Sequence, residues 1–225
     1  MPRKNKPGDQ IRSKQRVADH GEVLTSEREV NAMLDMVAPE AARPESRFLE
    51  PACGDGNFMA EILRRKLRAV TDACRGDAKS WEKNAFVSVA SIYGIDILPD
   101  NAAACRKRLM GIFDEFRAAG CGKKASEKCR LAVRHVLGRN VVCGDALTMT
   151  DEAGGPIVFS EWSLVAGDQI RRADFRLEDL VRGAEMKNRP EENWKFDEEA
   201  RVFLPPPVRE FPPVHYLLVG TLEKS

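Results

Sequence analysis

The sequence lacks most of the features that would assign it to a class directly. Its six cysteines (53, 74, 105, 121, 129, 143) contain no C-x-x-C pair, which removes the usual zinc-ligand and redox spacings. A site assembled from Cys121, Cys129, His135 and Cys143 would fit no known ligand pattern, so no metal is expected. No stretch approaches the ~20 consecutive apolar residues of a membrane span. The first residues are polar and basic rather than an apolar signal core. Free thiols in a reducing, cytoplasmic setting are the expectation. A strong excess of one charge is also missing: the net charge is +1, so the whole-chain balance does not announce a polyanionic partner.

What is present is an ordinary globular composition. The 225 residues are 43% hydrophobic and 32% charged, enough chain and apolar content for one domain with a substantial core. The charge is unevenly spread. The first 20 residues carry six basic and two acidic side chains, residues 101–140 ten and three, and residues 151–225 ten and fifteen. A basic front and middle with an acidic tail is compatible with a phosphate-contacting face.

The stretch Arg47–Phe58, R-F-L-E-P-A-C-G-D-G-N-F, organises the rest. A short apolar strand ends in Glu50, a loop with Gly54 and Gly56 follows, and a helix begins near Asn57. Glycines let the backbone approach a ligand closely, and the helix start offers unpaired N–H donors. A dinucleotide is a poor fit. The third glycine of that fingerprint is replaced by Met59, and the next strand-end acid, Asp96, comes much later than the ~20 residues expected. A carboxylate at Glu50 suits a cationic cofactor with an amino-acid tail better than a pyrophosphate.

Two more strands are predicted to end in acids. Ala85–Ile95 reads as a buried β-branched strand leading to Asp96 and Ile97, and Arg139–Leu147 as a strand ending in Gly144-Asp145-Ala146. A helix over Asn101–Ala119 and another near Glu127–Leu137 separate them, and Gly76–Asn84 reads as a turn. Upstream, Thr25 or Ser26 caps an amphipathic helix with Val30, Met33, Leu34 and Val37 on one face.

These segments in this order resemble the class I S-adenosylmethionine-dependent DNA methyltransferases, most closely the adenine-N6 type of restriction–modification systems. Thr25 falls in the segment matching motif X, and Glu50, Pro51, Ala52, Cys53, Gly54, Gly56, Asn57 and Phe58 match motif I. Asp96 and Ile97 match motif II, and Asp145 and Ala146 match motif III. The resemblance implies a three-layer α/β sandwich with a mostly parallel, Rossmann-like methyltransferase sheet, possibly truncated. It also implies S-adenosylmethionine as cofactor, with Asp96 on the ribose hydroxyls and Asp145 on the adenine amino group, and DNA as partner.

The resemblance stops at motif IV. The family's N-P-P-Y, whose ring stacks on a flipped base, is absent. The fourth strand, Pro156–Phe159, is followed by Ser160-Glu161-Trp162-Ser163, in which Glu161 as acceptor and Trp162 as stacking ring are the candidate replacements. The expected divisions are a basic arm over residues 1–20, a cofactor-binding core over 21–163 and a variant segment over 164–225, with a helix at Phe175–Gly183 and a last strand at Val214–Val219. Methyl transfer to DNA is the leading expectation. The alternative is a catalytically degenerate methylase-like subunit that binds cofactor or DNA beside a protein partner supplying target recognition, in restriction–modification or anti-restriction.

Overall fold

The computed structural model describes residues 25–122, 125–185, 193–198 and 201–221. The expected arm over residues 1–20 lies outside them. Helix α1 (Glu27–Asp35) opens on a capping box: the Glu29 amide donates to Ser26 Oγ, and the Ser26 amide donates to Glu29 Oε2 at 3.1 Å. A short α2 (Ala38–Ala42) leads to β1 (Phe48–Glu50). Then come α3 (Asn57–Ala73), α4 (Ala78–Ala90), β2 (Ile92–Asp96), α5 (Pro99–Cys121), α6 (Glu127–Asn140) and β3 (Val141–Asp145).

Strands β1, β2 and β3 are adjacent and parallel, with Glu50 opposite Gly94 and Asp96 opposite Cys143. A two-residue β4 (Thr150–Asp151) adds antiparallel to β3. The protein is thus α/β, with a four-stranded, mostly parallel sheet.

The two faces of β2 are covered differently. Ile92 joins the main core, built from α3, α4, α5 and α6 through Leu63, Leu67, Phe86, Phe113 and Val136. Gly94 lies on the same side, and a Cβ there would meet Met59 Sδ at 2.6 Å, so any larger residue would have to displace the Met59 side chain of α3. Tyr93 and Ile95 point the other way, against Ile157, Phe159 and Leu177. Phe159 belongs to the long hairpin of β5 (Val158–Ala166) and β6 (Gln169–Arg176), Ile157 immediately precedes it, and Leu177 opens α7 (Leu177–Glu185). This face is therefore covered by a hairpin and one helix rather than by a helical layer. The chain then forms a small β7–β8 pair (Lys195–Asp197, Val202–Leu204), β9 (Arg209–Glu210) and β10 (Val214–His215) along β6, and a 3-10 turn at Tyr216–Leu218.

Five expectations are corrected. Residues 85–90 are helix, not strand: Asp77 caps α4 by accepting from the Lys79 and Ser80 amides, and Trp81, Ala85, Phe86 and Val89 then form a buried helical stripe. That stripe outweighs the β propensity of F-V-S-V, and the expected turn at 76–84 is largely the first half of this helix. The division at residue 163 falls inside β5, whose pairing to β6 runs from Val158 to Ala166. The helix expected from Phe175 begins at Leu177, because Phe175 is still paired to Phe159 in the hairpin. The expected final strand is only Val214–His215 before the chain tightens into 3-10 form.

Candidate functional site

Parallel pairing brings the C-terminal ends of β1, β2 and β3 to one edge of the sheet, and Glu50, Asp96 and Asp145 are the terminal residues of those strands. Glu50 lies opposite Gly94 and Asp96 opposite Cys143, so each acid ends two residues beyond its neighbour and the three carboxylates form a staggered series at that edge, beside the β1–α3 loop. Gly54 (φ 53°) and Gly56 (φ 90°) take left-handed conformations there, and a Cβ on Gly56 would lie 2.7 Å from Cys105 Sγ. Both glycines are required by backbone geometry. Gly56 gives α3 no side-chain cap, so the first-turn amides keep donors for another partner.

Asp96 is 8% exposed and does structural work. Its Oδ2 accepts from the Gly54 amide at 2.7 Å, and its Oδ1 accepts from the Leu98 amide at 2.9 Å and from Asn101 Nδ2 at 3.2 Å. One carboxylate thereby ties the glycine loop to the start of α5. A carboxylate offers about four acceptor positions, so the three bonds leave room for a further donor. Glu50 is half-buried, and burial pushes its carboxyl above the usual range while the Ala52 amide, donating at 3.2 Å, opposes the shift. An acid destabilised in its ionised form is suited to a cationic partner. Asp145 accepts from the Leu147 amide at 2.8 Å, and Ala146 is half-buried beside it.

Two apolar side chains project at this edge without a core to enter. Ile97 is 57% and Leu147 92% exposed. Ile97 follows Asp96 directly, and Leu147 comes two residues after Asp145.

The remaining motif residues divide by role. Asn57 is clamped: its Nδ2 donates to the Thr25 carbonyl at 3.1 Å, and its Oδ1 accepts from Arg108 Nη1 at 2.6 Å. Thr25 is thereby held against the start of α3. Phe58 packs against the main core, and Pro51 and Ala52 are exposed. Cys53 is buried, and neighbouring Cys105 and burial push its thiol far upward, so it is no nucleophile. Asn101 and Arg108 were not anticipated from the sequence. Asn101, at the third position of α5, carried a readable signal in its place just beyond a strand-end acid. Arg108 meets Asp55 and Asn57 only through the docking of α5 on α3.

Glu161 and Trp162 do not converge on this edge. Ile157 donates to the Met149 carbonyl near the end of β3, and β5 then runs back toward the strand starts, where the Ser160 carbonyl accepts from Tyr93 Oη at 3.1 Å. Adjacent strand residues face opposite ways. Glu161 pairs with Arg47 at 2.7 Å on one side, and Trp162 Nε1 donates to Asn140 Oδ1 at 3.0 Å on the other. Asn140 immediately precedes β3, about 16 Å from Asp145 at ~3.3 Å per residue, so Trp162 lies at the opposite end of the sheet from that acid. This pair is not a replacement for motif IV at the strand tips.

Among the described residues β1 is paired on one side only. A cavity of about 340 Å³ flanks its open edge, lined by Arg47, Leu49, Tyr93, Phe159 and Leu180 among others. No group of His, Cys, Asp and Glu among the described residues is arranged to hold a metal ion, and no described helix is long and apolar enough to cross a membrane. None of the six cysteines is paired in a disulfide.

Comparison with protein-family models, with curated proteins and with solved structures found no match.

Proposed function

We propose that the protein binds S-adenosylmethionine at the β1–α3 loop and is a DNA methyltransferase of the adenine-N6 type found in restriction–modification systems. The observation that carries this reading is the staggered series of strand-end carboxylates, Glu50, Asp96 and Asp145, beside a loop whose two glycines are in left-handed conformations. The donor set fits the cofactor. Glu50 would face the cationic amino-acid end, and Asp96 would accept from ribose while keeping the loop amide. Asp145 would accept from the adenine amino group, with Ile97 and Leu147 along the ring. When bound, the cofactor supplies an electrophilic methyl group; this chain's residues would bind and orient it. Free thiols fit a cytoplasmic setting.

A second reading has its own support. Strand β5 leaves the site, so the described residues place no stacking ring and amide acceptor pair beside the loop. A methylase-like subunit that holds cofactor while a partner completes the acceptor side, in modification or anti-restriction, accounts for that geometry.

Calorimetry with S-adenosylmethionine, followed by tritium transfer from labelled cofactor to unmethylated DNA, separates the two. Binding with transfer supports the enzyme, and binding without transfer the subunit. No saturable binding to the wild type rejects both. Glu50→Gln keeps the shape and removes the charge, and is expected to weaken binding by about 1.5–3 kcal/mol, the range for a hydrogen bond to a charged group.

A further inference from the structure

The glycine loop has little stiffness of its own, because Gly54 and Gly56 can leave their left-handed conformations at low cost. Its first half is tied to the sheet. The Cys53 amide donates to the Ile95 carbonyl at 2.8 Å, and the Gly54 amide to Asp96 at 2.7 Å. Its second half faces α5. Arg108 Nη1 donates to Asn57 Oδ1 at 2.6 Å and to Asp55 Oδ1 at 3.3 Å. Cys105, three residues before Arg108, is buried against Gly56, so α5 touches the loop at this point.

Asn57 carries the contact further. Its Nδ2 donates to the Thr25 carbonyl at 3.1 Å, just ahead of α1. A side-chain amide has one donor end and one acceptor end. A guanidinium only donates and a carbonyl only accepts, so with Arg108 in place a single amide orientation satisfies both neighbours. Without Arg108 the amide is free to turn over, and the Thr25 carbonyl then meets an oxygen instead of a donor. Farther along, α1 is held to α3 separately: Arg65 Nη2 donates to Asn31 Oδ1 at 2.9 Å and pairs with Asp35 at 2.8 Å.

We propose that Arg108 is a positioning residue that sets the Asn57 amide and, through it, joins the glycine loop and the chain at Thr25 into one unit. The two segments then open together rather than separately. The inference deepens the cofactor reading above and rests on it for one consequence: S-adenosylmethionine would meet a preorganised wall made by both segments.

The test compares wild type with Arg108→Met, Arg108→Lys and Asn57→Asp in the full chain, by hydrogen exchange over residues 25–35 and 53–58. Arg108→Met should speed exchange about tenfold in both segments at once, the effect of losing a charge-assisted bond, while β2 and α6 keep their protection. Arg108→Lys keeps one cationic donor for Asn57 and should restore most of that protection. Asn57→Asp still accepts from Arg108 but cannot donate to Thr25, and should loosen residues 25–35 alone. In calorimetry with S-adenosylmethionine, Arg108→Met should bind about tenfold more weakly and Arg108→Lys close to wild type. A wild type that does not bind S-adenosylmethionine removes the cofactor reading, and the exchange data then judge Arg108 alone. The proposal is overturned if Arg108→Met leaves either segment as protected as in wild type, or if the lysine and methionine variants exchange alike. It is equally overturned if Asn57→Asp loosens nothing, or if exchange rises as much in β2 and α6, which marks a general loss of stability.

Discussion

The parallel half of the molecule, through β3, and the antiparallel half that follows are held together by different chemistry. In the first, helices α3 to α6 close over β1–β3 with a single apolar core. Almost every helix there starts at a readable cap: Ser26, Asp77, Ser126, or Pro99 at the first turn of α5. In the second, the long β5–β6 hairpin buries only a small apolar cluster against Tyr93 and Ile95 and is also positioned by polar contacts. These are the buried Arg172–Asp174–Ser160 cluster, Tyr93 to the Ser160 carbonyl, Trp162 to Asn140, and Asp168 to Lys79 at 2.8 Å. An apolar core is set by periodicity over many residues. A polar cluster depends on a few groups far apart in the chain, and removing one leaves others buried without partners.

The largest test of this contrast is in the apolar half. Leu63 is fully buried on α3, and Leu63→Ala should cost about 3–4 kcal/mol of unfolding free energy in urea, the usual range for a core leucine. A loss below about 1 kcal/mol would mean that α3 is not the centre of the core.

Asp174→Ala comes next, at about 3 kcal/mol, because it strands the Arg172 guanidinium in a buried setting. Amide exchange should speed up across β5 and β6 while β1–β3 keep their protection. Equal loss in both halves would show that they unfold as one unit and end the contrast drawn above.

Lys66 links the halves' logic, as a charge buried in the apolar side. Its ammonium donates to the Pro44 carbonyl at 3.1 Å, to the Ser46 carbonyl and to Ser91 Oγ at 2.7 Å, while burial pushes its pKa down to about 7. Lys66→Met should cost about 2 kcal/mol, since the Ser46 carbonyl and Ser91 Oγ lose a donor while the Pro44 carbonyl keeps the one from Ser91 Oγ. Because the folded pKa is depressed, the unfolded chain binds more protons between pH 7 and 10. Wild-type stability should therefore rise with pH across that window, and the methionine variant should lose the slope.

Cofactor affinity should carry a smaller pH signature. Burial raises the Glu50 carboxyl, and a cationic ligand would favour its ionised form. Binding then releases a proton, and affinity should fall as pH drops from neutrality toward the carboxylate range, by a few-fold at about pH 5. A flat profile by calorimetry would remove Glu50 from the site. The smallest effect expected is Ser26→Ala, about 1 kcal/mol from loss of an exposed cap, read as a lower melting temperature.

Much of the strand-tip site was legible because its parts are local. A strand end, a glycine turn and a helix start occupy ten consecutive residues, and the three acids follow from strand ends that can be located one at a time. The parts that were not legible are non-local. Asp96 bonds the Gly54 amide and Asn101 as well as ending β2, and no spacing announces a contact across 42 residues. Residues 85–90 misled because their β-branched and aromatic side chains favour a strand locally, while the helical stripe that outweighs this preference starts at the Asp77 cap, eight residues upstream.

By itself the sequence determined a chain able to form an apolar core, the acidic ends of β1, β2 and β3, and the glycines that let the β1–α3 loop turn. Tertiary structure alone decided the direction of β5. Whether a strand continues a parallel sheet or folds back over its face depends on which surface it buries. Phe159 found Tyr93 on the face of the sheet, and Trp162 found Asn140 at its far end. Those pairings separate two candidate sites that adjacent residues in the sequence had suggested were one.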